Sequence, residues 1–328
     1  MSNWIVFSVL LSAAPAVASA ADVVSSAGTS AGTAVNVGGS ARSLAMGGCG
    51  ETGRGEAAAV WINPSLLARL AQPQLSFMHG MWVEGVSVEQ CAVGQPTGYG
   101  SFAAGFTAIR IGSIDTYNSW GTPTGKYSPG DMAVSLAYAL GARMLTFGVA
   151  GSWLKSDLAE GVGATTMAFD AGASVVPFPP LTVSVSALHM GGSLKYGSRT
   201  ASLPQTVRGG ASFAFGKTGL TAAVEAIKPA DGIHEIRAGA EEEFTAGKGF
   251  MVAARGGWRN GAPEGSMSGL TLGGGIRWYP GKDSDESNQP GEADGEVSYL
   301  IGAIALDYAW TPLGELGNAH WFSIALIF

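Results

Sequence analysis

Three glycine-bounded segments and a few scattered titratable side chains are where this sequence could do chemistry. Gly48-Cys49-Gly50-Glu51-Thr52-Gly53 has the glycine spacing of a loop that cradles a dinucleotide pyrophosphate. That chemistry needs a strand before the loop and a helix after it, and no βαβ pattern surrounds the segment. Gly28-Thr29-Ser30-Ala31-Gly32 has the spacing of a nucleophile elbow, but it lies in a small-residue stretch without the strand–turn–helix context. Gly216-Lys217-Thr218 ends like a phosphate loop, yet the upstream glycine that such a loop requires is Ala211. With 50 glycines in 328 residues, matches of this kind arise by chance. His79, His189, His234 and His320 are spread over separate segments without companion ligands, so no metal site is expected. Neither a cofactor nor an enzyme activity is expected.

The charged residues form a clearer pattern. Glu235, Arg237, Glu241 and Glu243 fall on one face of an alternating segment. Arg255 and Arg259 share one face of the next, and Arg277 and Asp307 belong to the two after that. Acids beside arginines on neighbouring strands would form an ion-paired ladder. Such a ladder either neutralises buried charge and holds another part of the chain, or lines a path for a solute or partner.

These charges need strands to carry them, and the strands are unusual. Met132, Val134, Leu136, Tyr138 and Leu140 share one face, while Asp131, Ala133, Ser135, Ala137 and Ala139 share the other. Leu181, Val183, Val185 and Ala187 alternate with Thr182, Ser184 and Ser186 in the same way. Phe322, Ile324, Leu326 and Phe328 line up at the end of the chain. A period of two marks a strand between unlike media. Charged residues are only 13% of the chain, mean hydropathy is positive, and no apolar run beyond the N-terminus approaches helix-spanning length. The oily face therefore meets lipid and the small face lies inside a transmembrane barrel. A lipid-facing charge costs about 2–4 kcal/mol near the midplane, so the ladder points into the lumen. The net charge of −7 and the lack of a basic stripe exclude nucleic acid as a partner.

Residues 1–20 read as a signal peptide, with an apolar core from Trp4 and a small-x-small site at Ala18-Ser19-Ala20. Export would put Cys49 and Cys91 in an oxidising compartment, where they could pair or serve as small apolar filler. Residues 21–40 read as a flexible leader and 41–72 as a separate segment with short helices over Glu56–Val60 and Pro64–Leu70. Asn63 is a plausible cap there, with Pro64 at the first helical position. From 73 to 328 the chain reads as barrel, with fourteen strands near 75–82, 85–95, 99–110, 131–140, 143–155, 163–175, 180–188, 206–215, 218–229, 233–244, 249–258, 268–279, 296–310 and 318–328. The fold class is thus all-β: a transmembrane antiparallel barrel with short helices plugging its lumen.

Trp82, Trp120, Trp153, Trp258, Trp278, Tyr279 and Trp310 fall near strand ends or loops, as interfacial girdles do. Short turns alternate with the long loops Ile111–Gly130 and His189–Gln205, which fits short periplasmic turns and longer external loops. The acidic loop Pro280–Gly295 falls on the periplasmic side by parity, as a solvated loop or a docking element. Gly273-Gly274-Gly275 is a candidate bulge or a tightly twisted strand.

Ser40-Ala41-Arg42-Ser43-Leu44-Ala45-Met46-Gly47-Gly48, then Ala57–Val60 and Trp61-Ile62-Asn63-Pro64-Ser65-Leu66-Leu67-Ala68, resembles the N-terminal signature of the PorV/PorQ family, which is related to FadL-type outer-membrane transporters. The resemblance continues through Leu203-Pro204 with Arg208, Lys228-Pro229, Gly239-Ala240-Glu241, Asp307-Tyr308-Ala309 and Gly314-Glu315-Leu316-Gly317 with His320 and Phe322-Ser323. It implies a barrel with an N-terminal hatch in which Arg42, Met46, Gly47, Gly48, Asn63 and Pro64 carry the hatch motif. Where FadL-type hatches have Asn-Pro-Ala, this chain has Asn63-Pro64-Ser65. The closing Phe328 resembles the assembly signal of outer-membrane barrels.

The PorV branch implies an outer-membrane component of a type IX-like secretion system that binds exported client proteins or secretion subunits. The FadL branch implies a passive transporter of hydrophobic small molecules. Both place the chain among outer-membrane lipids.

Overall fold

The computed structural model describes residues 30–51, 54–142, 144–247, 249–260, 269–280 and 301–328. Its strands are β1 (Gln74–Met81), β2 (Ser87–Thr97), β3 (Gly100–Arg110), β4 (Ile114–Tyr117), β5 (Pro123–Tyr127), β6 (Gly130–Gly141), β7 (Leu145–Ala159), β8 (Val162–Phe178) and β9 (Leu181–Gly191). They continue with β10 (Ser193–Tyr196), β11 (Arg199–Ser202), β12 (Thr206–Ala214), β13 (Leu220–Pro229), β14 (Glu235–Gly247), β15 (Phe250–Arg259), β16 (Leu270–Trp278), β17 (Ala303–Pro312) and β18 (Asn318–Ile327). Fourteen of them close into one antiparallel barrel, β1 pairing β18 from Gln74↔Ile327 to Met81↔His320. Closure leaves no unpaired edge, which a sheet in hydrocarbon requires. The hairpins β4–β5 and β10–β11 stand in the two long loops.

The alternation sorts as expected. Leu136, Val149, Met167 and Phe169 are 66%, 57%, 58% and 54% exposed, while Ala133, Ser135, Ala137 and Ala139 are buried. Large side chains outside and small ones inside reverse the order of a soluble sheet, so the exterior is a lipid-solvated surface. The barrel is of the outer-membrane type.

Small inner side chains leave space, and the N-terminal part of the chain fills it. Helix α1 (Ala41–Ala45) is capped by Ser40, whose Oγ accepts from Ser43 N, and 3-10 turns follow at Ala57–Trp61 and Pro64–Arg69. Asn63 caps the last turn, its side chain accepting from Ser65 N, with Pro64 at the first position. The Ser65 hydroxyl also donates to Asn63 Oδ1 at 2.7 Å, so serine in place of alanine adds a bond to the turn.

Several expectations change. Residues 30–40 are not a flexible leader: Ala34, Val35 and Val37 are buried in the outer half of the lumen, packed with Leu154, Leu194 and Leu203. Small apolar side chains let this segment occupy space that larger ones could not enter. Gly273-Gly274-Gly275 forms no bulge, since pairing runs unbroken to both neighbours. Register shifts lie instead between β8 and β9, at Phe169/Ala171 and Val175/Phe178, between β7 and β8 at Asp157/Ala159, and between β14 and β15 at Thr245/Gly247. Cys49 and Cys91 are free, Cys49 buried in the hatch and Cys91 on the outward face of β2. Trp258 and Trp310 sit at the external ends of their strands and Trp278 at a periplasmic end, whereas Trp82 packs against Trp321 at 6.2 Å. The signal peptide and residues 281–295 of the acidic loop lie outside the described residues.

Candidate functional site

The hatch meets the barrel wall along two arcs of different chemistry. On β14–β17 the contact is ionic. Arg42 donates from Nε and Nη2 to the two carboxylate oxygens of Glu241, both at 2.8 Å, and from Nη1 to Glu56 at 3.1 Å. Arg255 donates to Glu241 Oε2 at 2.6 Å and to Asp307 Oδ1 at 2.7 Å. The register explains this convergence: Glu241 lies directly opposite Arg255, and Asp307 opposite Gly275 on the intervening strand. Arg54 grips Glu243 with two bonds of 3.0 and 2.9 Å, and Arg277 stands 3.8 Å from the same carboxylate. Charges buried in a lumen persist only when paired in this way.

Glu235 and Arg237 form a pair of their own at 2.7 Å, apart from the Glu241 network. Arg237 and Arg208 both donate to the Gly48 carbonyl, at 3.2 and 3.3 Å. Gly47 and Gly48 have φ of +75° and +82°, a conformation that presents their backbone to the wall and that side chains strain to adopt. Gly47 N donates to Thr271 Oγ1 at 2.8 Å, and that hydroxyl donates to Ala45 O at 2.9 Å. Met46 is fully buried beside Cys49 and Ala223, and burial pushes the Cys49 thiol up to about 12.

A second buried acid locks the Asn63–Pro64 corner. Glu51 accepts from Asn63 Nδ2 at 2.7 Å, from Ser186 Oγ at 3.0 Å and from Ser184 Oγ. Its backbone N–H and that of Gly50 donate to Glu225, which is held by Arg208 at 2.5 Å. Burial first, and then the charge of Glu225, raises the Glu51 carboxyl above its ordinary range.

The other arc, on β2, β3 and β6–β8, is close-packed and nearly uncharged. Ala57–Trp61, Leu66 and Leu67 press on Ala92, Ala103, Ala137, Ala139 and Ala150. A Cβ added at Gly148 would fall on the Pro64 backbone, and one at Gly172 on the Asn63 side chain.

Between hatch and wall, at the periplasmic end, lies a cavity of about 330 Å³. One side is lined by Trp61, Leu70, Met78 and Gln90, and the other by Arg54, Glu56, Arg277 and Asp307. Its rim carries the exposed Ala71 and Gln72.

The structure thus gathers Arg42, Glu241, Arg255 and Asp307 into one network with Arg277 at its edge, places Gly47, Gly48, Glu235 and Arg237 at a second contact, and Asn63 and Pro64 at a third. Glu51, Arg54, Glu56 and Glu225 were not singled out as site residues. Glu225 had a signal, since it alternates with the inward-facing Ala223 and Ile227 on β13. The hatch residues had none, because the hatch has no period to extend.

No protein-family model matches this chain, and no curated protein is similar to it. Among solved structures it is similar to the Ralstonia pickettii toluene transporter TbuX, at 13% identity and TM-score 0.56, covering 89% of this chain and 98% of that one. It is also similar to the Pseudomonas putida toluene transporter TodX, at 11% identity and TM-score 0.54, over 88% and 96% of the two chains. A Pseudomonas aeruginosa FadL homologue shares 8% identity and TM-score 0.55, over 88% and 98%. These neighbours are FadL-family outer-membrane barrels, and the likeness is one of fold.

Proposed function

We propose that this barrel is a passive outer-membrane transporter, through which a small hydrophobic molecule crosses a lumen closed by the hatch. The observation that carries this reading is the division of the lumen. Its outer half holds an apolar cluster, built from Leu154, Leu194 and Leu203 around Ala34, Val35 and Val37 of the chain itself. A hydrophobic solute entering from outside would exchange for those small side chains at little cost in apolar contact. The inner half is blocked by the hatch, which is held by ion pairs and hydrogen bonds that can be remade after displacement. Two of the similar solved structures are toluene transporters, which favours a solute of that kind.

The secretion role implied by the PorV branch rests on sequence resemblance alone, and none of these neighbours supports it. The test is uptake of labelled toluene by cells whose outer membrane carries the barrel, against cells that lack it. Faster entry is expected with the barrel. Equal rates, together with co-purification of exported proteins sharing a C-terminal domain, would overturn the transporter in favour of secretion.

A further inference from the structure

Small inward side chains are the rule on this wall, and the external end of the lumen departs from it. On the inward face of β7, Thr146, Gly148, Ala150 and Ser152 lead up to Leu154. Leu154, Leu194 and Leu203 belong to one cluster in the outer lumen and are 0%, 0% and 1% exposed. Three leucines facing a wet lumen would be costly unless something apolar covered them.

The cover is the chain itself, from Ser30 to Val37. A Cβ added at Gly32 would stand 2.5 Å from Leu154 and 3.2 Å from both Leu194 and Leu203, so this backbone is seated among all three. The φ of Gly32, +83°, is one that glycine adopts without strain. The turn Thr33–Val35 follows, and Ala34 and Val35 are buried within the same cluster.

This segment is held differently from the hatch. Ser30 N donates to Asp231 Oδ2 in the loop after β13 at 3.1 Å, and Ala31 N donates to the Ser202 carbonyl of β11 at 3.0 Å. The His189 ring hydrogen-bonds the Val35 backbone. Residues 30–37 carry no charge, so these ties are neutral donors and acceptors with small apolar contacts. Arg42, in contrast, is fixed to Glu241 and Glu56 by charged bonds. Gly38 and Gly39 join the two regions, and adjoining glycines let one backbone segment turn while the next stays fixed.

We infer that Ser30–Val37 is a self-inhibitory strap, filling at rest an apolar seat that a ring-sized hydrophobic molecule takes by displacing it. The inference rests on the transporter reading for the class of that molecule, and it adds that strap and hatch are separate barriers. An apolar visitor restores the contacts that the leucines lose when the strap leaves, and water does not.

Toluene is the probe. Val35→Cys is combined with Cys91→Ala, which leaves the native Cys49 of the hatch as an internal control. N-ethylmaleimide labelling of the full chain in lipid vesicles is read by mass spectrometry at both positions. Toluene is expected to speed labelling at position 35 about tenfold while Cys49 stays within about twofold. Unchanged labelling at position 35, or equal acceleration at Cys49, would overturn the strap. Gly32→Val adds branched carbons where the three leucines close in, so the strap loses its seat. Added to the labelling chain, it is expected to make position 35 react fast without toluene. Alone, it should hold toluene about tenfold tighter than wild type in equilibrium dialysis, since no strap has to be displaced first. Equal toluene binding by Gly32→Val and wild type would overturn the inference. Labelling that responds to toluene, with no faster toluene entry into cells carrying the barrel, would leave the strap standing and remove the transporter reading. Faster entry through the barrel, at one rate for wild type and Gly32→Val, would keep the transporter and overturn the strap.

Discussion

The two arcs of wall that hold the hatch solve the same problem with opposite materials. On β14–β17 the hatch is fixed by Arg42 and Arg54 reaching Glu241 and Glu243, contacts that specify direction and partner. On β2, β3 and β6–β8 it is fixed by alanine and glycine, through approach so close that added atoms would collide. Ion pairs can break and reform around a moving part, while close packing permits only one fit. The difference assigns the rigid seat to one side of the lumen and the releasable latch to the other, and the cavity lies between the two.

The sharpest way to break this comparison is to remove the carboxylate that both buried arginines share. Glu241→Ala leaves Arg42 and Arg255 facing each other in the lumen, with Glu56 and Asp307 their remaining acids. Breaking a buried pair from one side typically costs about 3–5 kcal/mol. Hydrogen exchange of residues 41–50 should rise strongly while amides of Leu66 and Leu67 stay protected. Equal loosening of both stretches would show that the hatch is one unit and that the arcs are not separate devices.

The packed arc is smooth inside because its bulk is outside, and this too can be tested. Leu136→Arg puts a charge on the lipid face of β6, and the expected loss is about 2–4 kcal/mol of barrel stability in lipid vesicles. Ser135→Arg, one residue away, would instead strike the lumen, where Ser135 and Ser152 share a 2.7 Å bond. If thermal unfolding in vesicles is unchanged by Leu136→Arg, the exterior is not in contact with acyl chains and the membrane assignment fails.

Much of this arrangement was legible before any coordinates. Period-two alternation fixes the face of every residue once one face is known, so the inward direction of Glu241, Arg255, Arg277 and Asp307 followed from counting. All fourteen barrel strands were located in the same way, thirteen of them with boundaries within four residues, while the strand read from 296 begins at Ala303. Alternation carries no information about depth or about what lies across the lumen. Arg42 could be placed in the hatch by resemblance, but its bond to Glu241 spans 199 residues and no local pattern encodes it. The burial of Ala34, Val35 and Val37 was missed for a related reason. Ala-, Gly- and Val-rich sequence looks the same whether it is loose in solvent or folded into a narrow space.

A smaller effect sharpens the packed arc. Gly148→Val places branched carbons where the Pro64 backbone runs, and overpacking of this sort typically costs about 1–3 kcal/mol. Gly151→Val is its control on the same strand, since a Cβ there meets only the edge of Phe169 at 3.8 Å. Loss of hatch protection in Gly148→Val but not in Gly151→Val is the expected outcome, read by limited proteolysis of folded barrels. Similar loss in both would mean that strand stiffness, rather than contact with Pro64, decides the result.

The least forceful test concerns pH, and it joins the two arcs. Glu51 ties Asn63 to Ser184 and Ser186, while its neighbour Glu225 is tied to Arg208. Two acids therefore share one nearby cation, and burial raises the Glu51 carboxyl above its unfolded value. A carboxyl whose folded pKa is raised stabilises the docked state below the unfolded pKa, and that stability is lost as pH rises through the folded value. Hatch protection should accordingly be greater near pH 5 than near pH 8, after correction for intrinsic exchange rates. Glu51→Gln cannot ionise and should flatten the profile, with its side-chain oxygen still able to accept from a serine hydroxyl. A wild-type profile without slope, or a slope that survives in Glu51→Gln, would show that the acid stays charged in place and that the Asn63 corner is as permanent as the alanine wall beside it.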